Sequence, residues 1–139
     1  MSITYSFAVI DAKNDQVETT IGTSPKLRIY SGTMPTNART ALSGNTLLAE
    51  GTLPSDWLGA SSSGVKSKAG TWTLTGQSGA GSGTAGTFYR IYDNAGTTCH
   101  EQGTFTVTGG GGDMTADNAS IANAQVITVN SYAKTGGNI

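Results

Sequence analysis

From Lys26 onward the chain repeats one pattern, a short run of β-branched and aromatic residues closed within a few positions by Gly, Pro, Asn or Asp. Such runs are strands bounded by turns. Branched and aromatic side chains fill a pleated surface, and the closing residues tolerate the dihedral angles that a chain reversal needs. The runs are Lys26 to Ser31, Thr46 to Leu53, Gly70 to Gly76, Gly86 to Tyr92, Thr97 to Thr108 and Ala124 to Thr135, which predicts six or seven strands. In Gly70 to Gly76, Trp72 and Leu74 share one face while Thr71, Thr73 and Thr75 share the other, as expected of a strand with a core on one side and water on the other. Phe105 and Val107, set against Thr104, Thr106 and Thr108, repeat the alternation. Asp93-Asn94-Ala95-Gly96 sits between two such runs and predicts an antiparallel hairpin. Strands at this density, with no amphipathic helices between them, argue against a parallel α/β sheet and for a sandwich or barrel. The expected fold is mainly β, an antiparallel two-sheet β-sandwich of immunoglobulin-like or jelly-roll-like type.

The first residues differ. Ile10, Val17 and Ile21 are spaced by seven and four, so a helix from about Ile10 to Ile21 would lay one apolar stripe on a sheet, ending at Gly22 with Pro25 soon after. Thr19 and Thr20 weaken that helix. The alternation of Ile3, Tyr5, Phe7 and Val9 reads as a strand leading into it. Residues 1–24 are therefore expected to be an N-terminal appendage on a β-sandwich domain of residues 25–139. The whole length suits one core. Gly59 to Gly70, Gly76 to Gly86 and Gly109 to Gly112 are low in complexity and read as loops. Pro35 and Pro54 stand alone between apolar residues and mark no linker.

Charge narrows the partners. Eight basic against nine acidic residues leave no surface rich enough in Lys and Arg to neutralise a run of phosphates, so nucleic acid is not an expected partner. Charged residues make up only 12% of the chain, so copies could associate at little electrostatic cost. No stretch approaches the roughly 20 apolar residues that a membrane-spanning helix needs, and Met1 to Asp15 lacks a signal-peptide pattern. No membrane partner is expected, and synthesis and folding are expected in a cytosol. Cys99, the only cysteine, excludes an internal disulfide and any multi-thiolate metal site.

Several motifs invite a chemical reading. Gly81, Gly83 and Gly86 in GQSGAGSGTAG match a dinucleotide-loop spacing, but the loop runs into the strand-like Thr87-Phe88-Tyr89-Arg90 instead of a helix N-terminus. GASSSGVK, residues 59–66, misses the phosphate-loop pattern because Val65 separates Gly64 from Lys66; Lys66 and Lys68 then read as solvated charges. His100, the only histidine, precedes Glu101 without the second histidine of a zinc-protease helix. Adjacent on a strand, Cys99 and His100 should point to opposite faces and are not expected to work as a nucleophile and base. The carboxylates are scattered, mostly beside turns. Asp113, Asp117 and Asn118 could hold calcium, but the spacing of a calcium loop is missing and turn formation fits better. Asn118-Ala119-Ser120 matches a glycosylation triplet, which has no meaning without a secretory route. No catalytic, metal-binding or cofactor-binding residue is expected. Trp72 fits the core. Trp57-Leu58, between Pro54 and the Ser-rich loop, reads either as a partner-facing anchor or as a cap on one end of the sandwich.

Leu27-Arg28-Ile29-Tyr30-Ser31-Gly32-Thr33-Met34-Pro35, then Ser43-Gly44-Asn45-Thr46-Leu47-Leu48-Ala49, Gly83-Thr84-Ala85-Gly86-Thr87-Phe88-Tyr89-Arg90-Ile91-Tyr92-Asp93 and Gly112-Asp113-Met114-Thr115-Ala116-Asp117-Asn118 followed by Gln125-Val126-Ile127-Thr128-Val129 come in an order that resembles small structural proteins of tailed bacteriophages, over about Lys26 to Thr135. The resemblance implies a non-enzymatic virion component, most readily a head decoration or cement protein on the outside of the capsid shell. Its partners would be the major capsid protein and further copies of itself, as a homodimer or homotrimer. The residues expected at such an interface are Ile3, Tyr5, Phe7, Val9, Ile10, Val17, Trp57 and Leu58. A tail, collar or fibre accessory protein is the alternative within virions. A carbohydrate-binding module or small glycan hydrolase, with Trp57, Trp72 and the tyrosines as sugar platforms, is the alternative outside them.

Overall fold

The computed structural model describes residues 3–135. A single helix, α1 (Phe7–Ile21), precedes β1 (Lys26–Tyr30), β2 (Leu47–Thr52), β3 (Lys66–Ser67), β4 (Thr73–Gly76), a 3-10 turn at Ser78–Ala80, β5 (Thr84–Ala85), β6 (Phe88–Tyr92), β7 (Cys99–Val107), β8 (Met114–Ala116), β9 (Ser120–Ile121) and β10 (Val126–Lys134). Each of the six expected strand runs contains a strand. The hairpin forms as expected: β6 and β7 pair antiparallel, and the Gly96 amide donates to the Asp93 carbonyl at 2.9 Å.

The expected two-sheet sandwich is not what forms. Seven strands close on themselves in the order β10, β4, β2, β1, β6, β7, β8 and back to β10, giving a barrel. β3 adds to one end of β10, and β5 and β9 make a separate two-stranded sheet. The strand that closes the barrel is β8, which pairs antiparallel with β10 and parallel with β7. Parallel neighbours normally need a long crossover, yet Phe105 faces Met114 in register across only the intervening Thr106 to Asp113. The glycine run makes this possible. Gly109 and Gly111 take positive φ of 90° and 83°, and a Cβ on Gly112 would sit 2.9 Å from the Thr106 amide nitrogen. The Asp113 carboxylate then accepts from the Thr104 amide at 2.9 Å and holds the reversed chain against β7. The closing strand is three residues long and lies in a segment whose Gly, Asp and Asn content reads as turns, which is why the sandwich expectation fails.

Leu27, Ile29, Leu48, Trp72, Leu74, Tyr89, Ile91, Phe105, Met114, Ile127, Val129 and Tyr132 belong to one continuous buried core. Trp72 and Leu74 take their expected places there. Val107 does not, being 45% exposed at the last position of β7, where the chain turns away into the glycine run. A second, smaller core gathers Tyr30, Phe88 and Tyr92 with Met34, Leu42, Leu47 and Cys99. It arises because residues 31–46 fold back over the face of β1 and β6 that points away from the main core. Every residue of β6 is consequently buried.

Helix α1 begins earlier than its apolar spacing predicts. Ser6 caps it, its hydroxyl oxygen accepting from the Val9 amide at 3.3 Å, and Gly22 ends it with φ 92°. Phe7 and Val9 are thus helical residues, and the alternation of Ile3, Tyr5, Phe7 and Val9 does not make a strand.

Candidate functional site

The two ends of α1 have opposite fates. Along most of its length the helix is bound to the barrel. Ile10 is fully buried and Ile21 nearly so, and Val17 packs half-buried against the main core. Between them Asn14 is buried and donates through Nδ2 to the Ser61 hydroxyl at 3.1 Å and the Gly64 carbonyl at 3.2 Å. One turn earlier, Asp11 Oδ1 accepts from the Ser61 hydroxyl at 2.6 Å and the Gly64 amide at 2.9 Å. Lys66 Nζ, buried, reaches Asp15 at 2.7 Å and Glu18 at 2.8 Å. Burial alone would pull the Lys66 ammonium down, but its bonds to the two carboxylates prevail and hold it above its usual value. The same contact holds Asp15 below the ordinary carboxylate range. Lys66 is therefore not the solvated charge its Ser-rich surroundings suggest. Lys68 turns elsewhere, donating to the Gly70 carbonyl and lying over the Trp72 ring.

At its N-terminal end the helix and the residues entering it are uncovered. Ile3 is 69% exposed, Phe7 51%, Val9 43% and Tyr5 39%, four large apolar side chains within seven residues. Lys13 lies over the Tyr5 ring, 4.8 Å from its centre. Farther along, Val17 and Ile21 of α1 and His100 line an open groove of about 390 Å³, edged by Lys13, Gln16 and Thr20.

The residues expected at an interface thus divide. Ile3, Tyr5, Phe7 and Val9 lie in water, and Val17 is half-buried. Ile10, Trp57 and Leu58 are buried and present no surface to a partner. Trp57 takes the internal alternative: its Nε1 donates to the Gly22 carbonyl at 3.0 Å, just past the end of α1, and its ring lies 5.9 Å from that of Trp72.

The other candidate positions are occupied structurally. Cys99 joins the outer core while His100 faces the groove beside α1. A register shift in the pairing of β6 with β7 makes His100 the extra residue between Cys99 and Glu101. Burial raises the Cys99 thiol above its usual value, so it is a poor nucleophile. Glu101 accepts the Tyr89 hydroxyl at 2.8 Å, the Tyr132 hydroxyl at 2.5 Å and the Lys134 ammonium. Burial, and next the charge of Glu101, push both tyrosines well above their usual values. Sequence reasoning passed over this cluster because its members are scattered along the chain; Gly103 is the only local hint, since a Cβ there would strike the Tyr89 ring at 2.7 Å. Asn118 accepts from the Ser120 amide two residues on, in keeping with turn formation, whereas Asp117 accepts from the distant Thr128 amide and ties the chain after β8 to β10. Among the described residues no group of three or more His, Cys, Asp or Glu side chains could hold a metal ion. The glycine-rich segment at residues 76–86 holds the 3-10 turn and β5, and leads into β6.

Comparison with protein-family models, with curated proteins and with solved structures finds no match to this chain.

Proposed function

We propose that the chain is a non-enzymatic structural protein of a tailed-phage virion, attached to the outside of the capsid shell through the uncovered N-terminal end of α1. The resemblance of its strand and turn sequences supplies the virion setting. The observation that supports attachment at this place is the exposure of four large apolar side chains within seven residues, Ile3 and Tyr5 in the segment entering α1 and Phe7 and Val9 in its first turn, where the rest of the helix is held by the barrel. A single apolar side chain in water is ordinary, whereas several together at one end of one element mark a contact surface. The major capsid protein is the primary partner in this reading, with further copies of the chain joining as dimers or trimers. Many modest contacts repeated over a shell then stabilise the assembled particle. A sugar-binding role is less favoured, because Trp57 and Trp72 have no exposed ring face on which a sugar could stack.

The test is co-sedimentation of the full chain with heads built from the capsid protein of the same phage, comparing wild type with an Ile3→Ser, Phe7→Ser, Val9→Ser variant. Loss of the variant from the pellet while its thermal unfolding stays unchanged is the expected result. Equal pelleting of both proteins would remove α1 from the attachment, and failure of the wild type to pellet would remove the capsid as partner.

A further inference from the structure

The outer face of β6 carries an arginine that is 3% exposed and has no acidic partner among the described residues. Arg90 Nη2 donates to three neutral oxygens: the Thr40 carbonyl at 2.7 Å, Gln102 Oε1 at 3.0 Å and the Asn37 carbonyl at 3.4 Å. Its Nε is buried with no acceptor. These bonds pin the 31–46 segment to the barrel, helped by Gln102, which donates to the Pro35 carbonyl at 2.6 Å. They leave the positive charge without a counter-charge, a costly state for a buried guanidinium.

The neighbouring carboxylates are engaged elsewhere. Glu50 pairs with Arg28, the residue directly opposite Arg90 on β1. Glu101 is held by Tyr89, Tyr132 and Lys134. Asp93 is tied into its own turn by the Thr97 and Thr98 amides. Arg90 also forms part of the wall of an open cleft of about 520 Å³ between residues 38–42 and 97–99. Arg39, Thr40, Thr97, Thr98 and Cys99 line it too, so the lining holds two arginines and no acidic side chain. Arg39 is exposed at its rim.

We propose that this cleft is a binding site for an oxyanion, a carboxylate or a phosphate group, held by Arg90 from the wall and by Arg39 from the rim. Guanidinium groups are the side chains best suited to such ligands because their N–H donors match the spacing of carboxylate and phosphate oxygens. Of the rim threonines, Thr40 and Thr97 already donate to Asn37 Oδ1 at 3.2 Å and Asp93 Oδ2 at 3.0 Å, which leaves the Thr98 hydroxyl as a neutral donor. A carboxylate would come from an acidic side chain or chain terminus of a partner protein, and a phosphate from a free or ligand-borne phosphoryl group. The site is on the barrel and does not depend on attachment through α1.

The test is titration of the 15N-labelled full chain with sodium phosphate, sodium acetate and, as reference, sodium chloride at matched ionic strength, followed by amide chemical shifts. Saturable shifts clustered at Thr40 to Leu42 and Thr97 to Cys99, given by phosphate or acetate and not by chloride, are expected, and the tighter-binding anion identifies the source. Arg39→Gln should weaken that binding about tenfold, the loss of one charge-assisted contact, with an unchanged melting temperature. Arg90→Lys keeps the charge but removes the fork and should weaken binding further. Its own amide spectrum shows whether the 31–46 segment still packs. Shifts scattered over all exposed basic residues, shifts matched by chloride, or an Arg39→Gln protein that binds like wild type would each overturn the proposal.

Discussion

The bound length of α1 and its free N-terminal end lie a few residues apart on one element, and they show how little sequence hydrophobicity says about availability. Ile10 and Val9 are neighbours and both apolar, yet one is fully buried and the other 43% exposed. What separates them is the barrel surface beneath. Ile10, Asn14, Val17 and Ile21 recur at helical spacing toward the core, and Asp11, Asp15 and Glu18 flank that stripe and meet the 59–67 segment. Val9 is turned away from it, whereas Phe7, three residues before Ile10, continues the stripe into the exposed first turn. The buried side fixes the helix and with it the position of both. Removal of the whole helix is accordingly a poor test of attachment, since it would also strand the buried Lys66 charge and uncover Trp57.

The contrast can be broken most strongly at the bound end. Trp57→Ala should cost about 3–5 kcal/mol, the usual range for emptying a buried indole, read as a lowered midpoint in urea unfolding. Lys66→Ala should cost about 1–3 kcal/mol, less than a fully enclosed ion pair would because Asp15 remains more than half exposed; the same unfolding curves measure it. Acid provides a third approach. Asp15 has a lowered folded-state pKa, so its contribution is present above the ordinary carboxylate value and is lost as pH falls through the lowered one. Melting temperature should therefore drop on going below about pH 4, and the drop should be shallower in Lys66→Ala, where Asp15 has lost its partner. Lys66 has the opposite sign: its folded-state pKa is raised, so its contribution holds at neutral pH and fades only in strong alkali. The smallest stability effect belongs to the free end. Phe7→Ser with Val9→Ser should change unfolding by about 0.5 kcal/mol or less. A loss comparable to that of Trp57→Ala would mean that these side chains support the fold.

Much of the β-structure was legible because it is local. The six runs, the Asp93 to Gly96 turn and the inward pair Trp72 and Leu74 follow from alternation and turn chemistry. Barrel closure was not legible, because it depends on Met114, Thr115 and Ala116 meeting partners from both β7 and β10, and neither pairing leaves a trace in the spacing of a three-residue strand. The start of α1 was legible in principle: Ser6 three residues before Val9 is a capping signal, but the alternation of apolar residues around it suggests a strand. Lys66 and Arg90 were hidden for a common reason. A charged residue in a Ser-rich loop or at an alternating strand position reads as solvated, and both are covered by segments distant in sequence, α1 for one and residues 31–46 for the other. The four exposed apolar residues were identifiable as apolar, while their exposure, and the burial of Trp57, required the fold.

β10 pairs with β3, β4 and β8, so the last strand among the described residues joins the two sides of the barrel. During synthesis, β1, β2, β6 and β7 can zip together as they emerge, but until residues 126–134 leave the ribosome that sheet keeps open backbone edges able to recruit strands from other chains. Translation stalled short of Val126 would release a sticky product with both sides of that sheet open, whereas closure through β10 confines the unpaired strand edges among the described residues to the short β3 and the two-stranded β5–β9 sheet.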